Sequence, residues 1–180
     1  VPPTLVSFAT AIGDTRNVQS PEFKKSNSAV VLLRPNYKNG LPEIGSLIAI
    51  YKTVEQMIDE GKVLAAATPG YGGVAEAVLK MTLGNGLGFR FDDGCTMDEL
   101  FSYAYGSFVL ELTEPQQIGL PLGTTTAEAG LTWQGNTVTG DELRPTLLKK
   151  TGFGNLDDMY AAIGYGGFSA QKAVNRIRDE

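Results

Sequence analysis

Between the short apolar run Val63–Ala67 and a helical pattern stands Thr68-Pro69-Gly70-Tyr71-Gly72-Gly73. A glycine-rich junction of this kind exposes backbone N–H groups at the positive end of a helix and lets an anion come close. Gly70, Gly72 and Gly73 are therefore the candidate nucleotide-binding residues. The loop lacks the Gly-Lys-Ser/Thr ending of a Walker A sequence and is no full GxGxxG fingerprint, so spacing alone favours a tight strand-to-helix turn over a phosphate site. Gly164-Tyr165-Gly166-Gly167 repeats the composition before a second helical pattern, but its flanks do not align, and there the glycines read as a separator between packed helices.

Other chemistry is thin. The chain has no histidine, which removes Ser-His-Asp and Cys-His catalysis and every histidine-containing zinc site. Its one cysteine, Cys95, excludes a disulfide framework and reads as a half-buried, inert thiol. The acid pairs Asp92-Asp93, Asp98-Glu99 and Asp157-Asp158 are adjacent in sequence, and neighbours do not share a face of a helix or strand. Solvated turns and helix starts account for them, with a magnesium site as the alternative. No catalytic residue and no metal ligand is assigned.

Elements able to position the loop follow from periodicity. Thr4–Ile12 reads as a strand ending at Gly13-Asp14, and Ala29–Arg34 as a strand covered on both faces. Pro42–Glu60 reads as a helix with Pro42 in its first turn, Gly61 as its stop, and Ile44, Leu47, Ile48, Tyr51, Val54 and Ile58 as one apolar stripe. Val63–Ala67 is a short strand. The helix after the glycine loop carries Val74, Ala77, Val78 and Met81 inward and ends at Gly84-Asn85-Gly86. Leu87–Phe91 and Ser107–Leu112 are further strands, with a short helix at Met97–Tyr103 capped by Thr96 and Glu99. Ile118–Leu122 and Glu128–Trp133 read as edge strands, followed by a turn at Gln134-Gly135-Asn136.

The last forty residues change character. Leu156, Met159, Tyr160 and Ile163 suit one short helix, with Asn155 as its cap. Ala170, Ala173, Val174 and Ile177 suit another, capped by Ser169. Lys149, Lys150, Lys172, Arg176 and Arg178 form a candidate basic face, read either as wet surface or as an RNA contact. The net charge is −5, and residues 141–180 hold six acids and six bases, so the acidic excess lies in residues 1–140. An acidic body repels phosphate backbones, and nucleic acid is expected only through the tail, if at all. No apolar run approaches the roughly 20 residues that cross a bilayer, and no membrane partner is expected. The start, Val1-Pro2-Pro3-Thr4, reads as a chain cut at a domain boundary. The expected location is cytoplasmic.

The blocks VPPTLVSFATAIGD, SPEFKK with AVVLLRP, GKVLAAATPGYGGVAEAVLKMTLGN, MDELFSYAYGSFVLEL and LGTTTAE are collinear. Together they resemble the second synthetase-like C-terminal domain of large phosphoribosylformylglycinamidine synthases, within the aminoimidazole ribonucleotide synthetase superfamily. The resemblance implies an α+β domain over residues 1–140, with a mostly antiparallel sheet covered by helices. It implies a fragment of an ATP-dependent C–N ligase of purine biosynthesis, which converts formylglycinamide ribonucleotide to the amidine with ATP, Mg²⁺ and glutamine-derived ammonia. The fragment would supply one wall of a nucleotide cleft and be inactive alone. Its partners would be the N-terminal synthetase-like and glutaminase domains, or a second copy paired through its strands. The family often has Asp-x-Ser-Asp-Gly-Gly at the loop, where this chain has Thr68, Gly70, Tyr71, Gly72 and Gly73; a threonine is a poor metal ligand.

Residues 141–180, dense around NLDDMYAAIGYGG, resemble the helical segment after the TGS domain of RelA/SpoT-family (p)ppGpp synthetases. That resemblance implies a small helical unit with regulatory RNA or ribosome contacts. The seam between the two parts is expected between Asn136 and Thr146.

Overall fold

The apolar run Ala29–Leu33 forms strand β1, and its alternation divides the molecule. Val30 and Leu32 point to one face, Val31 and Leu33 to the other, and all four are buried. In the computed structural model, residues 8–10, 12–143 and 145 are described. After β1 come a two-residue hairpin, β2 (Tyr37–Lys38) and β3 (Leu41–Pro42), helix α1 (Ile44–Asp59), β4 (Val63–Ala67) and α2 (Gly73–Leu83). Then follow β5 (Gly88–Phe91), α3 (Met97–Phe101), β6 (Phe108–Leu112), β7 (Leu120–Thr126), β8 (Gly130–Trp133) and β9 (Asn136–Thr139).

Seven strands make one sheet in the order β4-β6-β1-β7-β5-β8-β9. Its pairs are antiparallel except β5 with β8. The fold is α+β, a mostly antiparallel sheet with helices on both faces. On one face α2 buries Val74, Ala77, Val78 and Met81 against Val30, Leu32, Val109, Phe89 and Leu122. On the other, Val54 and Met57 of α1 meet Val31, Leu33, Leu110 and Leu112.

Three devices match the sequence reading closely. Gly61 ends α1 at φ +67, a conformation glycine adopts freely. Thr96 and Glu99 form a complete capping box at the start of α3. Gln134 and Gly135 take left-handed φ values in the turn between β8 and β9.

Elsewhere the structure corrects the reading. Residues 8–10 and 12 belong to no strand, and Phe8 and Ile12 are exposed; the rest of the expected Thr4–Ile12 strand lies outside the described residues. Pro42 pairs with Tyr37 in the hairpin rather than opening α1, whose N-cap is Glu43. The expected stripe of α1 is split. Its C-terminal half is seated on the sheet, Tyr51 is half-exposed with its ring against Phe108, and Ile44 and Ile48 face outward. Of the segment read as an edge strand at Ile118–Leu122, residues 120–122 open β7, in the middle of the sheet between β1 and β5. Hydrophobic alternation reports which faces are covered and says nothing about neighbours within the sheet. The expected helices of residues 146–180 lie outside the described residues.

Beyond β9 the chain turns helical at residues 140–143, and Thr139 donates to Glu142 through both its backbone N–H and its hydroxyl. The same chemistry caps α3. Among the described residues no helix is long and apolar enough to cross a membrane.

Candidate functional site

Antiparallel pairing gathers one set of loops at a single end of the sheet. The C-terminal ends of β1 and β4 lie beside the N-terminal end of β6, as the pairs Leu33 with Phe108 and Ala67 with Val109 show. The glycine loop leaves β4 at this end and enters α2. Gly70, Gly72 and Gly73 are thus kept together at one strand-to-helix junction.

The junction is closed from within. Gly73 donates its N–H to Gly70 O at 3.2 Å, and the two glycines bridge. Gly72 donates to the Glu76 carboxylate at 2.6 Å, one turn along α2. Glu76 also pairs with Lys80. The Lys80 ammonium, and after it the Gly72 N–H, hold the Glu76 carboxyl below its ordinary range. An anion from this chain therefore occupies the position where α2 presents its unpaired donors. Gly73, at φ +71, backs directly onto the Leu100 and Ser102 carbonyls, which fixes α2 against α3. Tyr71 stands almost fully exposed at the tip.

Because the folded Glu76 is depressed, its stabilising contribution is present above the ordinary carboxyl range and is lost as pH falls through the lowered folded value. Stability of the wild-type chain, measured by urea unfolding, should therefore drop on acidification in that window. Glu76→Gln should flatten this part of the profile, and an unchanged acid limb would show that the contact contributes nothing.

An aromatic group borders the loop, and the sequence reading missed it. Tyr37 donates its hydroxyl to Tyr105 O at 2.9 Å, Arg34 donates to Tyr103 O at 3.1 Å, and the Arg34 guanidinium lies 5.2 Å from the Tyr37 ring centre. Tyr103 meets both Tyr37 and Tyr105 edge-on. The available signal was Tyr103-x-Tyr105 in an apolar stretch, which carries no period that a loop would respect.

The remaining candidates are structural. Cys95 is buried, with its thiol directed at Leu122 O at 3.6 Å. Burial, with Asp92 and Glu99 nearby, pushes the thiol up and opposes thiolate formation. A cavity of about 240 Å³ beside it is lined by Asp92, Gly94, Glu99, Leu120 and Pro121. Glu99 serves the cap of α3, and among the described residues no group of three or more His, Cys, Asp or Glu is placed to hold a metal ion. The loop itself, with Thr68 and Gly70 where the resembling family carries carboxylate and hydroxyl, does not fit a magnesium site. Asp157-Asp158, Gly164–Gly167 and the basic face of the tail lie outside the described residues.

A second buried polar centre, also missed, sits at the opposite end of the sheet. Glu111 of β6 is fully buried and accepts from the backbone N–H of Lys24 at 2.7 Å and of Lys25 at 3.0 Å. Thr125 donates to Lys25 O at 2.6 Å and accepts from the Ser28 N–H at 2.8 Å. Together they tie residues 23–28 across the α2 face.

Among solved structures, the chain resembles PurL of T. maritima complexed with ADP, with a TM-score of 0.56 at 14% identity, over 69% of this chain and 26% of that one. For the same protein complexed with FGAR the values are 0.55 and 13%, over 69% and 28%. For phosphoribosylformylglycinamidine synthase II from Thermotoga maritima they are 0.52 and 16%, over 68% and 26%. This is a likeness of fold, and the chain spans only about a quarter of the length of these neighbours. The family model of the RelA/SpoT AH domain matches residues 120–178. That match agrees with the resemblance of the tail, and it reaches back past the expected seam to the first residue of β7. No curated protein matches the sequence.

Proposed function

We propose that residues 1–140 are a synthetase-like C-terminal domain of a phosphoribosylformylglycinamidine synthase-type ligase, acting as one wall of a nucleotide cleft. The fold likeness to PurL complexed with ADP carries this reading. The chain contributes position rather than chemistry. Gly70, Gly72 and Gly73 form a rigid rim, with Tyr71 exposed on it. ATP and any Mg²⁺ would be held chiefly by an N-terminal synthetase-like domain, and ammonia would come from a glutaminase domain. A phosphate reaching the Gly72 N–H must first displace Glu76, so the chain alone is expected to be inactive and to bind nucleotide poorly.

Calorimetric titration with Mg-ADP tests this. The chain alone should give no heat, and addition of an N-terminal synthetase-like domain should produce saturable binding. Glu76→Gln should tighten that binding roughly tenfold, since it removes a like charge beside the phosphate. Silence in both arms would overturn the nucleotide role.

The AH-domain match favours a second reading, in which the tail makes the chain a regulatory module contacting RNA or the ribosome. Under it the ADP titration stays silent throughout, and the sheet serves only as a platform for residues 141–180.

A further inference from the structure

The dipeptide Asn-Gly occurs twice in the chain, at Asn39-Gly40 and at Asn85-Gly86. It is the pair most prone to cyclise, because glycine places no Cβ beside its own nitrogen and lets the backbone swing freely. The two pairs share their chemistry and differ in restraint. Asn85 donates its side-chain amide to Phe23 O at 2.8 Å, and Phe23 is buried and tied through its own N–H to Met81 O at 3.0 Å. The Asn85 amide is therefore pinned. Asn39 is exposed, and its side chain has no hydrogen-bond partner among the described residues. The pairs Tyr37 with Pro42 and Lys38 with Leu41 make Asn39-Gly40 the two-residue turn of the β2–β3 hairpin, at φ +53 and +77. The Gly40 N–H meets no acceptor among the described residues, and the space beside Gly40 is open. The hairpin is a sheet of its own, held at its base by the Glu43 N–H on Asn36 O at 2.8 Å. So short a ribbon opens readily, and opening gives the backbone the freedom to close a ring.

We propose that Asn39 is a self-modification site, where the chain deamidates with water as the one co-reactant. The Gly40 backbone nitrogen attacks Cγ of Asn39. A C–N bond forms, that nitrogen gives up its proton, and the side-chain nitrogen leaves as ammonia. Water then opens the resulting succinimide at either carbonyl. One opening yields aspartate. The other yields an isoaspartyl link, in which the main chain runs through the former side-chain methylene. In both, one water is consumed and one ammonia is released. The isoaspartyl form puts an extra backbone atom into a turn built for two residues, so the pairing of Tyr37 with Pro42 is loosened. Tyr37 is the residue that donates to Tyr105 O in the aromatic group beside the glycine loop, and its anchorage weakens with the hairpin. The proposal stands without the nucleotide reading.

Ageing of the full chain at mildly alkaline pH, followed by peptide mapping with mass spectrometry, tests it. In the folded chain, amide loss at Asn39 should run at least about tenfold faster than at Asn85. In urea, where both turns are open, the two rates should agree within about twofold. Asn39→Gln should abolish the mass change in its own peptide and leave that of Asn85 as it was. A folded-state ratio below about tenfold would overturn the proposal, and so would a tenfold ratio that persists in urea, since the difference would then come from sequence rather than from restraint. Hydrogen exchange at the Glu43 amide should quicken in the isoaspartyl fraction; unchanged exchange would overturn the loosening of the hairpin.

Discussion

Glu111→Ala is expected to lower the unfolding free energy by about 3–5 kcal/mol, the largest loss of any substitution considered for this chain. The side chain is fully buried, and its two oxygens accept from the consecutive N–H groups of Lys24 and Lys25. Alanine removes both acceptors, leaves the Lys24 and Lys25 N–H groups without their carboxylate partner and opens a void at a fully buried position of β6. Glu111→Gln keeps one acceptor oxygen and should lose about half as much. In urea, with a slope of about 2 kcal/mol/M, the alanine variant's midpoint should fall by roughly 2 M. A shift below about 0.5 M would mean that the 23–28 segment finds other acceptors.

Gly73→Ala is expected to cost about 2–5 kcal/mol. Two effects add. A non-glycine residue at φ +71 costs about 1–2 kcal/mol, and forcing an extra carbon into a filled space costs about 1–3 kcal/mol. The added Cβ would stand 2.8 Å from both the Leu100 and Ser102 carbonyl oxygens, which are backbone and cannot swing aside. Gly61→Ala separates the terms. Gly61 has φ +67 but open space around it, so its alanine variant suffers the conformational cost alone. Thermal melts of the two variants should differ by several degrees, with Gly73→Ala the lower. Equal melts would show that α2 can move off α3 at no cost, and with it the rim assigned to the cleft.

How far the sequence carried the reading depended on what each signal measures. The helix of Val74, Ala77, Val78 and Met81 was legible because its apolar residues meet a filled face, and so was β1, whose continuous apolar run requires cover on both sides. Ile44 and Ile48 kept the helical period yet stay exposed, so periodicity overstated their burial. The order of strands was not legible. Leu120–Thr126 carries a glycine and three threonines and looks peripheral, yet it is central; its place is set by registers with β5 and with β1, the latter about ninety residues earlier. At the glycine loop the composition predicted the turn and its position. It did not reveal that Glu76, four residues beyond Gly72, folds back onto it, because only the three-dimensional path of the first turn brings that carboxylate to the N–H. Glu111 was hidden for a similar reason. Within FVLEL it reads as the polar break of a strand, and its partners lie in a polar stretch far upstream.

The central placement of β7 bears on how the polypeptide is made. Every contact that joins the β4-β6-β1 half to the β5-β8-β9 half within the sheet passes through Leu120–Thr126. During synthesis, β1 and β5 must therefore wait with facing edges bare until Leu120–Thr126 has been translated, which makes closure a slow, long-loop event. Any exchange of the downstream sequence that began at residue 120 would replace the keystone rather than an appendage, and the two halves would be left as separate, adhesive ribbons.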